Sequence, residues 1–300
     1  MTHVESLRRL TQGYVAENEP MARHTTLGVG GPADLFVEVL GEDELSAVME
    51  YVSRSGLPWT VIGDGSNLLV SDRGIRGLVI KLGGDLSDVR VEGTVVAAGA
   101  AAQISAVADI AAEHNLGGLE GVGDVPGSVG GAIVMNAGTH RGYIDAVTRS
   151  VSVVTASGER RVIPKEECGF TYRGSRFQHD RSLLIAGAVF DLIPGDGEAI
   201  KRRLREIRGH RWEKQPRARS AGCFFKNPPD RSAGRLIEEA GCKGMSQGGA
   251  AVSRAHANFI INQNNATAGD LRDLAERVRH KVREEHGVEL EYEVRLVGEW

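Results

Sequence analysis

The chain has 300 residues, of which 41% are hydrophobic and 25% charged, and its formal net charge is −4. This length suggests two domains, or three, at about 100–200 residues each. The composition is that of an ordinary water-soluble globular protein. The small negative charge provides no overall attraction to nucleic acid or to a membrane surface, so neither is an expected partner.

The cysteines and the N-terminus indicate the compartment. Cys168, Cys223 and Cys242 are far apart, odd in number and form no CxxC pair. This argues against a disulfide framework and a zinc site, and it fits a reducing compartment. Residues 1–20 contain no apolar core of signal-peptide type. No run reaches about 18 consecutive apolar residues, the length of a membrane span. We expect a cytoplasmic protein without a metal site.

The first predicted region, residues 1–85, is a β-helix-β block. Residues 1–20 are predicted to form a short amphipathic helix, and a strand-like alternation follows the next glycine turn. Residues 59–63 and 77–82 are predicted strands. The helix between the strands is indicated by the i, i+3, i+4, i+7 spacing of Leu45, Val48, Met49 and Val52.

Two further regions are predicted, at residues 86–200 and 201–300, joined by a basic helix over 198–214. The first has predicted hairpins at 89–100 and 149–164, a helix at 102–115 and a strand at 183–192. The second has a helix after Ser232, a strand at 257–263, a helix at 266–287 and an alternating strand at 288–300. Because hairpins mix with single β-helix-β units, the pattern favours α+β domains over one doubly wound sheet.

Two glycine-rich loops, at residues 61–72 and 117–142, are the main binding candidates. The second has nine glycines in 26 residues. Closely spaced glycines let backbone N–H groups converge on an anion such as a diphosphate. The alternative is ordinary glycine turns at domain edges. No Walker A loop is present, GVGDVP departs from GxGxxG at Pro126, and the GxGxxA match at 28–33 follows no clear strand.

Seven motifs occur in one order: VIGDGSNLLV, GVGDVPGSVGGAIVMNAG, GFTYRGSRF, SAGCFFKNP, AGRLIEEAGCKG, HANFIIN and LEYEVRLVGE. Over residues 20–300 they resemble the UDP-N-acetylenolpyruvoylglucosamine reductase family (MurB), in its shorter second type. The resemblance implies an α+β fold. It would consist of a two-part FAD-binding module of the vanillyl-alcohol-oxidase (PCMH) type, at 1–85 and 86–200, followed by an α+β substrate-binding domain at 201–300.

The family resemblance also implies the cofactors. FAD is expected to be bound without a covalent bond, and NADPH is the expected reductant. The flavin ring would lie near Asn136 and Ala137. The FAD diphosphate would contact Gly63, Asp64, Gly65, Ser66, Asn67, Val125, Pro126, Gly127, Ser128, Gly130 and Gly131.

The implied reaction reduces UDP-N-acetylglucosamine enolpyruvate to UDP-N-acetylmuramate for peptidoglycan synthesis. Hydride passes from flavin N5 to C3 of the enolpyruvyl group, and an acid then protonates C2. The protein must therefore stabilise an enolate-like charge and supply a proton. The expected enzyme is a cytoplasmic monomer acting on small molecules.

Arg173 and Glu293 match two catalytic positions of the family. Arg173 would face the substrate carboxylate, for which a forked guanidinium is suited; the alternative is an exposed loop arginine. Glu293 lies on the alternating polar face of the last strand, so a solvated carboxylate is its alternative interpretation. An ionised Glu293 would repel the enolate, so we expect it to be protonated at this step or bonded to Arg173.

Cys223 occupies the position at which the family usually has a serine as proton donor. A thiol titrates near pH 8.5, far below an alcohol, so it is the better acid near neutral pH. The alternative is a buried, inert cysteine, which is also the interpretation for Cys168 and Cys242. The resemblance implies sugar-nucleotide contacts for Tyr172, Lys214, Asn227 and His256, and a core histidine is an equal alternative for the last.

Two competing functions are considered. A flavin oxidase or dehydrogenase of the same superfamily would keep the glycine loops without needing Arg173, Cys223 and Glu293 together. A nucleic-acid-binding protein could use segment 201–219, which has nine Lys and Arg against two acids. The net charge and the lack of aromatic-basic interleaving argue against this second function. The segment could instead steer anionic ligands, or be a solvated helix face.

Overall fold

The computed structural model describes residues 2–300, with the backbone alone for Trp212. None of the described helices is both long and apolar enough to cross a membrane. The helices are α1 (His3–Leu7), α2 (Glu42–Ser55), α3 (Ile104–Glu113), α4 (Val129–Met135), α5 (Gly197–Lys214), α6 (Ala233–Glu239) and α7 (Ala268–His286). The strands are β1 (Val15–Pro20), β2 (Pro32–Val39), β3 (Trp59–Ile62), β4 (Leu68–Val70), β5 (Ile75–Leu82), β6 (Val89–Glu92), β7 (Val95–Gly99), β8 (Leu116–Gly117), β9 (Gly138–Thr139), β10 (Gly142–Tyr143), β11 (Thr148–Thr155), β12 (Arg160–Pro164), β13 (Leu183–Asp191), β14 (Ile193–Pro194), β15 (Arg219–Ser220), β16 (Ser246–Gln247), β17 (Ala250–Val252), β18 (Ile260–Asn262) and β19 (Arg295–Val297).

The chain divides into two compact units. The first comprises residues 1–17, 35–63 and 77–209, and the second comprises 18–34, 64–76 and 210–300. The second unit thus combines two short N-terminal stretches with the whole C-terminal third. The predicted division at 1–85, 86–200 and 201–300 stays a prediction.

A five-stranded sheet in the first unit has the order β12-β11-β13-β7-β6, and its described pairings are antiparallel. Its strands confirm the predicted hairpins and the strand that follows them. The buried side chains of α3 and α4 belong to the same hydrophobic core as this sheet. This core holds the start of α4, which lies within the second glycine-rich segment.

A second sheet, with the order β1-β2-β5-β3, shares a core with α2. The apolar positions predicted from helical spacing are at most 3% exposed: Leu45, Val48, Met49 and Val52. Burying such a side chain contributes about 1.5–3 kcal/mol, so this face fixes the helix. α2 ends at Gly56, whose φ of 64° is the left-handed cap that glycine adopts without strain.

The predicted helix over residues 1–20 is wrong beyond its first turns. The helix ends at Leu7, and Val15 begins β1. The reason lies at Gly13, where a Cβ would be 2.2 Å from the carbonyl oxygen of Glu38. This close approach of the backbone to β2 is open only to glycine, and it replaces helical periodicity with strand pairing.

The second unit has a sheet of order β15-β18-β17-β16, with α6 and α7 in the same core. The long helix is confirmed. It begins with a capping box between Thr267 and Asp270 and ends at Gly287. The helix predicted after Ser232 is also confirmed, and Ser232 caps it by accepting the N–H of Arg235. Local capping therefore sets the bounds of both helices.

The predicted C-terminal strand is largely wrong. Only Arg295–Val297 is a strand, and it pairs in parallel with β4. The predicted apolar alternation holds at Leu290 and Val294, which are buried, but Leu296 is 38% exposed. Residues 291–294, before β19, instead form isolated backbone hydrogen bonds with residues 224–226. From residue 295 onward the partner is β4, so the segment does not form one continuous strand.

Candidate active site

Within the first unit, the two glycine-rich loops meet at Gly63 and Ser128. A Cβ on Gly63 would lie 2.5 Å from the Oγ of Ser128, which is closer than real Cβ contacts. Any larger residue at 63 would displace this hydroxyl, which accepts the N–H of Gly131 at 3.4 Å. The structure therefore brings together two segments that the sequence predicted separately as anion-binding loops.

The second loop has fewer available donors than predicted. Pro126 has no N–H, and Gly127 and Ser128 follow it at the start of α4. Three of the predicted phosphate-contact residues, and Val129 between them, already use their backbone N–H groups inside the protein: Val125, Gly130 and Gly131. Of this stretch, the N–H groups of Gly127 and Ser128 are left as candidates for a diphosphate.

The remainder of the first loop, residues 64–67, lies in the second unit. Gly65 has a φ of 66°, and a Cβ there would be 2.1 Å from the carbonyl oxygen of His24. Asn67 is bonded to the C-terminal segment. Its Nδ2 donates to the carbonyl of Glu293 at 3.1 Å, and its carbonyl accepts the N–H of Arg295 at 3.0 Å. The loop is thus packed and bonded on two sides.

Arg173 lies in a tight turn of the first unit with a strained backbone. Thr171 and Gly174 exchange N–H···O bonds of 2.9 and 3.2 Å across the turn. Arg173 has a φ of 56°. The non-glycine residues with positive φ in residues 2–300 are otherwise all Asn or Asp, the types that tolerate this conformation: Asn18, Asn115, Asn136, Asp230 and Asn265. An arginine here is an outlier of the kind that marks functional sites.

Neighbouring groups hold this turn in place. The amide Nε2 of Gln178 donates to the Arg173 carbonyl at 2.9 Å, and one guanidinium nitrogen of Arg173 donates to the carbonyl of Gly138 at 2.8 Å. The guanidinium also lies 5.4 Å from the ring centre of Tyr172, whose side chain is exposed. The strained conformation is therefore supported by several independent contacts.

Asn136, predicted to lie near the flavin, anchors the same turn. Its side chain is 4% exposed, and its Nδ2 donates to the carbonyl of Thr171 at 3.0 Å. Its Oδ1 accepts the N–H of Asp145 at 3.3 Å. Because the amide already binds protein groups at both ends, Asn136 joins the end of α4 to the turn of Arg173.

Cys223 and Glu293 lie on adjoining segments of the second unit. The carbonyl of Phe224, the residue after Cys223, accepts the N–H groups of Glu293 at 2.9 Å and of Val294 at 3.3 Å. Both Cys223 and Glu293 are half-buried. Glu289, Glu291 and Arg295, which share the predicted polar face, are exposed instead. Glu293 is therefore distinct from a uniformly solvated face.

Asn258 and Tyr292 support this pair and were not singled out from the sequence. Asn258 is 2% exposed and exchanges two side-chain bonds with the backbone of Phe225, at 3.0 and 2.8 Å. The Tyr292 hydroxyl donates to Glu276 at 2.7 Å, and burial raises the pKa of Tyr292. The one feature of the sequence that could have indicated Asn258 is its polar side chain inside the apolar run of HANFIIN.

The residues predicted to bind the sugar nucleotide have different surroundings. Tyr172 and Lys214 are exposed. Asn227 is exposed too, but its Oδ1 accepts the N–H of Ala233 at 3.0 Å at the start of α6. His256 accepts the N–H of Asn258 at 3.2 Å through Nδ1, and burial lowers its pKa. A neutral His256 can therefore stabilise the local fold by accepting the backbone N–H of Asn258.

Part of the basic segment is used inside the first unit. Arg208 donates to the carbonyls of Gly123 and Ser105 and forms a 2.9 Å ion pair with Asp109. Arg203 lies 3.5 Å from Glu120. The predicted helix over 198–214 is confirmed. These contacts attach it to α3 and to residues 120–123 of the second glycine-rich segment.

The three cysteines differ in burial, which provides a test. Cys168 and Cys242 are fully buried, and Cys223 is half-buried. Burial raises the pKa of Cys168 to about 11 and also raises that of Cys242. Because the thiolate is the reactive form, iodoacetamide at pH 8 should label Cys223 alone in the native protein. Labelling of all three in denaturant is the control, and native labelling of Cys168 would contradict this assignment.

The described residues contain no group of three or more His, Cys, Asp or Glu that could hold a metal ion.

Family models match two parts of the chain. The FAD binding domain matches residues 33–163, and the C-terminal domain of UDP-N-acetylenolpyruvoylglucosamine reductase matches residues 215–297. The reductase of that name from Heliobacterium modesticaldum is 43% identical over 290 residues, 96% of this chain and 92% of the relative. The chain belongs to the UDP-N-acetylenolpyruvoylglucosamine reductase family. The resemblance stated from the seven motifs is confirmed.

Solved structures agree with membership of the reductase family. The MurB structure from Thermus caldophilus is similar at a TM-score of 0.82 and 37% identity, over 95% of this chain and 99% of that chain. Phl p 4.0202, a glucose dehydrogenase, has a TM-score of 0.50 and 13% identity, over 63% of this chain and 43% of that chain, so it shares the fold alone. The predicted α+β fold with an FAD-binding module of the PCMH type is confirmed.

Proposed function

We propose that this chain is an FAD-dependent oxidoreductase of peptidoglycan synthesis. It would reduce the enolpyruvyl group of UDP-N-acetylglucosamine enolpyruvate to the lactyl ether of UDP-N-acetylmuramate. NADPH is the proposed reductant, and the enzyme is proposed to act as a cytoplasmic monomer on these small molecules. The observation that carries the proposal is the strained backbone of Arg173 inside the GFTYRGSRF motif, because such strain persists where function requires it.

The glycine loops fit a dinucleotide cofactor. Bound FAD supplies the hydride that reaches C3 of the enolpyruvyl group. We assign its diphosphate to residues 63–67 and to the N–H groups of Gly127 and Ser128, since their neighbours already bond within the protein. A side chain at position 63 would displace the Ser128 hydroxyl, which lies between these loops. We propose that binding is non-covalent, and that Asn136 and Ala137 border the flavin site.

Arg173 is proposed to bind the substrate carboxylate and to stabilise the charge that develops there. When hydride adds to C3, negative charge moves to C2 and the carboxylate. A guanidinium fork stays charged and donates along two parallel bonds, so its interaction strengthens as this charge grows. The bonds from Gln178 and to Gly138 support its position before substrate arrives.

Cys223 is proposed to protonate C2 from its Sγ. The half-buried position of the thiol lets it meet a ligand, and a thiol is acidic enough to transfer a proton near neutral pH. Glu293 is proposed to be protonated during this step, or bonded to Arg173, because an ionised carboxylate would repel the enolate. Its bond to the Phe224 carbonyl supports a role beside Cys223.

The sugar nucleotide is proposed to contact Tyr172, Lys214, Asn227 and His256. The exposed phenol and ammonium groups are accessible to a ligand. Asn227 would offer its NH₂ group, because its Oδ1 already caps α6. His256 would act as a neutral group, consistent with its lowered pKa.

The alternative is a flavin oxidase or dehydrogenase of the same superfamily with another substrate. The C-terminal match at residues 215–297 disfavours it, since this match includes both Cys223 and Glu293. A nucleic-acid-binding function is disfavoured because Arg203 and Arg208 of the basic segment are paired with acids.

Steady-state turnover tests the proposal. We expect the purified protein to carry releasable FAD and to oxidise NADPH only when the enolpyruvyl sugar nucleotide is present. UDP-N-acetylglucosamine, which lacks the enolpyruvyl group, is the control. The product should be heavier than the substrate by two hydrogens in mass spectrometry. Oxidation of NADPH that needs oxygen but not the enolpyruvyl substrate would favour the oxidase alternative.

A further inference from the structure

Thr26 joins the 64–67 loop to the segment of Cys223. Its Oγ1 lies 2.7 Å from the carbonyl oxygen of Ser220, to which it donates, and 3.3 Å from that of Gly65. Its backbone N–H also donates to Gly65 at 3.2 Å. Ser220 precedes Cys223 by three residues. A single residue therefore bonds both the proposed phosphate loop and the strand that leads to the proposed proton donor.

Asn67 makes the second connection, to the segment of Glu293. Its Nδ2 donates to the Glu293 carbonyl, and its own carbonyl accepts the N–H of Arg295. The chain continues directly into β4, whose Leu68 is in register with Arg295 of β19. A shift of Asn67 must therefore shift the backbone of Glu293 or break two bonds.

The loop has little freedom to move alone. A Cβ on Gly65 would lie 2.1 Å from the His24 carbonyl oxygen and 2.7 Å from the Cα of Thr25. The loop thus packs backbone against backbone on the residues that lead into Thr26. Close-packed contacts transmit displacements rather than absorb them.

We propose that Thr26 and Asn67 are positioning residues that couple occupation of the 64–67 loop to the positions of Cys223 and Glu293. The inference rests on the proposed function, in which this loop holds the FAD diphosphate. Bound FAD would hold the loop in this arrangement, and the two connections would pass this restraint to the segments 219–225 and 290–297. The proton donor is then held more firmly in place when the cofactor is bound, a coupling between two sites.

Hydrogen exchange of the apoprotein and the FAD-loaded protein measures this coupling without activity. In wild type, FAD should slow amide exchange in 64–67, 219–225 and 290–297, because exchange requires local opening. In Thr26→Val, FAD should no longer slow amide exchange at 219–225 but should still slow it at 290–297. In Asn67→Ala, FAD should no longer slow exchange at 290–297 but should still slow it at 219–225. Thr26 is exposed, so valine leaves no cavity. Slowing confined to 64–67 in wild type would overturn the inference.

Kinetics on the FAD-saturated enzyme gives a second readout. Thr26→Val should reduce its flavin with NADPH at the wild-type rate and reoxidise with the enolpyruvyl substrate about tenfold or more slowly, since small misplacements cost this much. Thr26→Ser, which keeps the hydroxyl, should restore the rate. Thr94→Val, an exposed threonine of the first unit, is the matched control.

A failure of the coupling inference and a failure of the proposed function give different results. If wild type reoxidises normally and Thr26→Val matches it in both rate and exchange, the inference is wrong and the proposed function stands. If wild type does not reoxidise with the enolpyruvyl substrate, the proposed function falls and the inference with it.

Discussion

Replacing Cys223 by alanine should leave reduction of the bound flavin by NADPH unchanged and slow its reoxidation by the enolpyruvyl substrate by about 10²–10⁴-fold, the usual worth of a positioned acid. In the proposed reaction the thiol is needed only after hydride has reached C3, so only the second half-reaction should be affected. Cys223 is half-buried, so the smaller side chain should not unfold the protein. Anaerobic stopped-flow absorbance of the flavin measures both half-reactions separately.

Cys223→Ser is the matched variant for this experiment. It keeps a hydroxyl donor of similar size, but an alcohol is a far weaker acid than a thiol. Its reoxidation rate should fall between those of wild type and the alanine variant. Equal reoxidation rates in wild type and Cys223→Ala would show that the proton comes from another group.

Replacing Arg173 by glycine should slow reoxidation by about 10²–10³-fold, as removal of a charge-stabilising donor does. The same change should leave the free energy of unfolding within about 1 kcal/mol of wild type, because glycine adopts a positive φ without strain. The relief of backbone strain at position 173 offsets the loss of the contacts to Gly138 and Tyr172. Stopped-flow kinetics and denaturant unfolding provide the two readouts.

Arg173→Lys is the comparison. It keeps the positive charge but loses the planar fork, so a bidentate contact becomes a single one. We expect a smaller loss of rate than for glycine, with a raised KM for the enolpyruvyl substrate. A glycine variant that is strongly destabilised and yet reoxidises at the wild-type rate would mean that Arg173 serves the fold and not the reaction.

Elements whose signal is local could be predicted from the sequence. Both α2 and α7 have apolar spacing over several turns, and a glycine ends each of them. The hairpin strands β11 and β12 likewise follow from alternation around a short turn. In each case the residues that determine the element lie within it, so no knowledge of distant contacts is needed.

Features that depend on distant contacts could not be predicted. The helix predicted over 1–20 ends early because Gly13 approaches Glu38 closely, and neither position reveals this alone. The last strand begins only at Arg295, where β4 becomes its partner. Motif resemblance singled out Arg173, Cys223 and Glu293 as candidate catalytic residues. The positive φ of Arg173 and the supporting bonds of Asn258 arise only in the folded chain.

The most direct test of the reductase assignment is a single turnover of the wild-type protein without oxygen. The flavin is reduced with one equivalent of NADPH, and UDP-N-acetylglucosamine enolpyruvate is then added. We predict that the flavin absorbance returns promptly and that one UDP-N-acetylmuramate forms per flavin. A flavin that stays reduced until oxygen is admitted would contradict the assignment of the substrate and of the roles of Arg173 and Cys223.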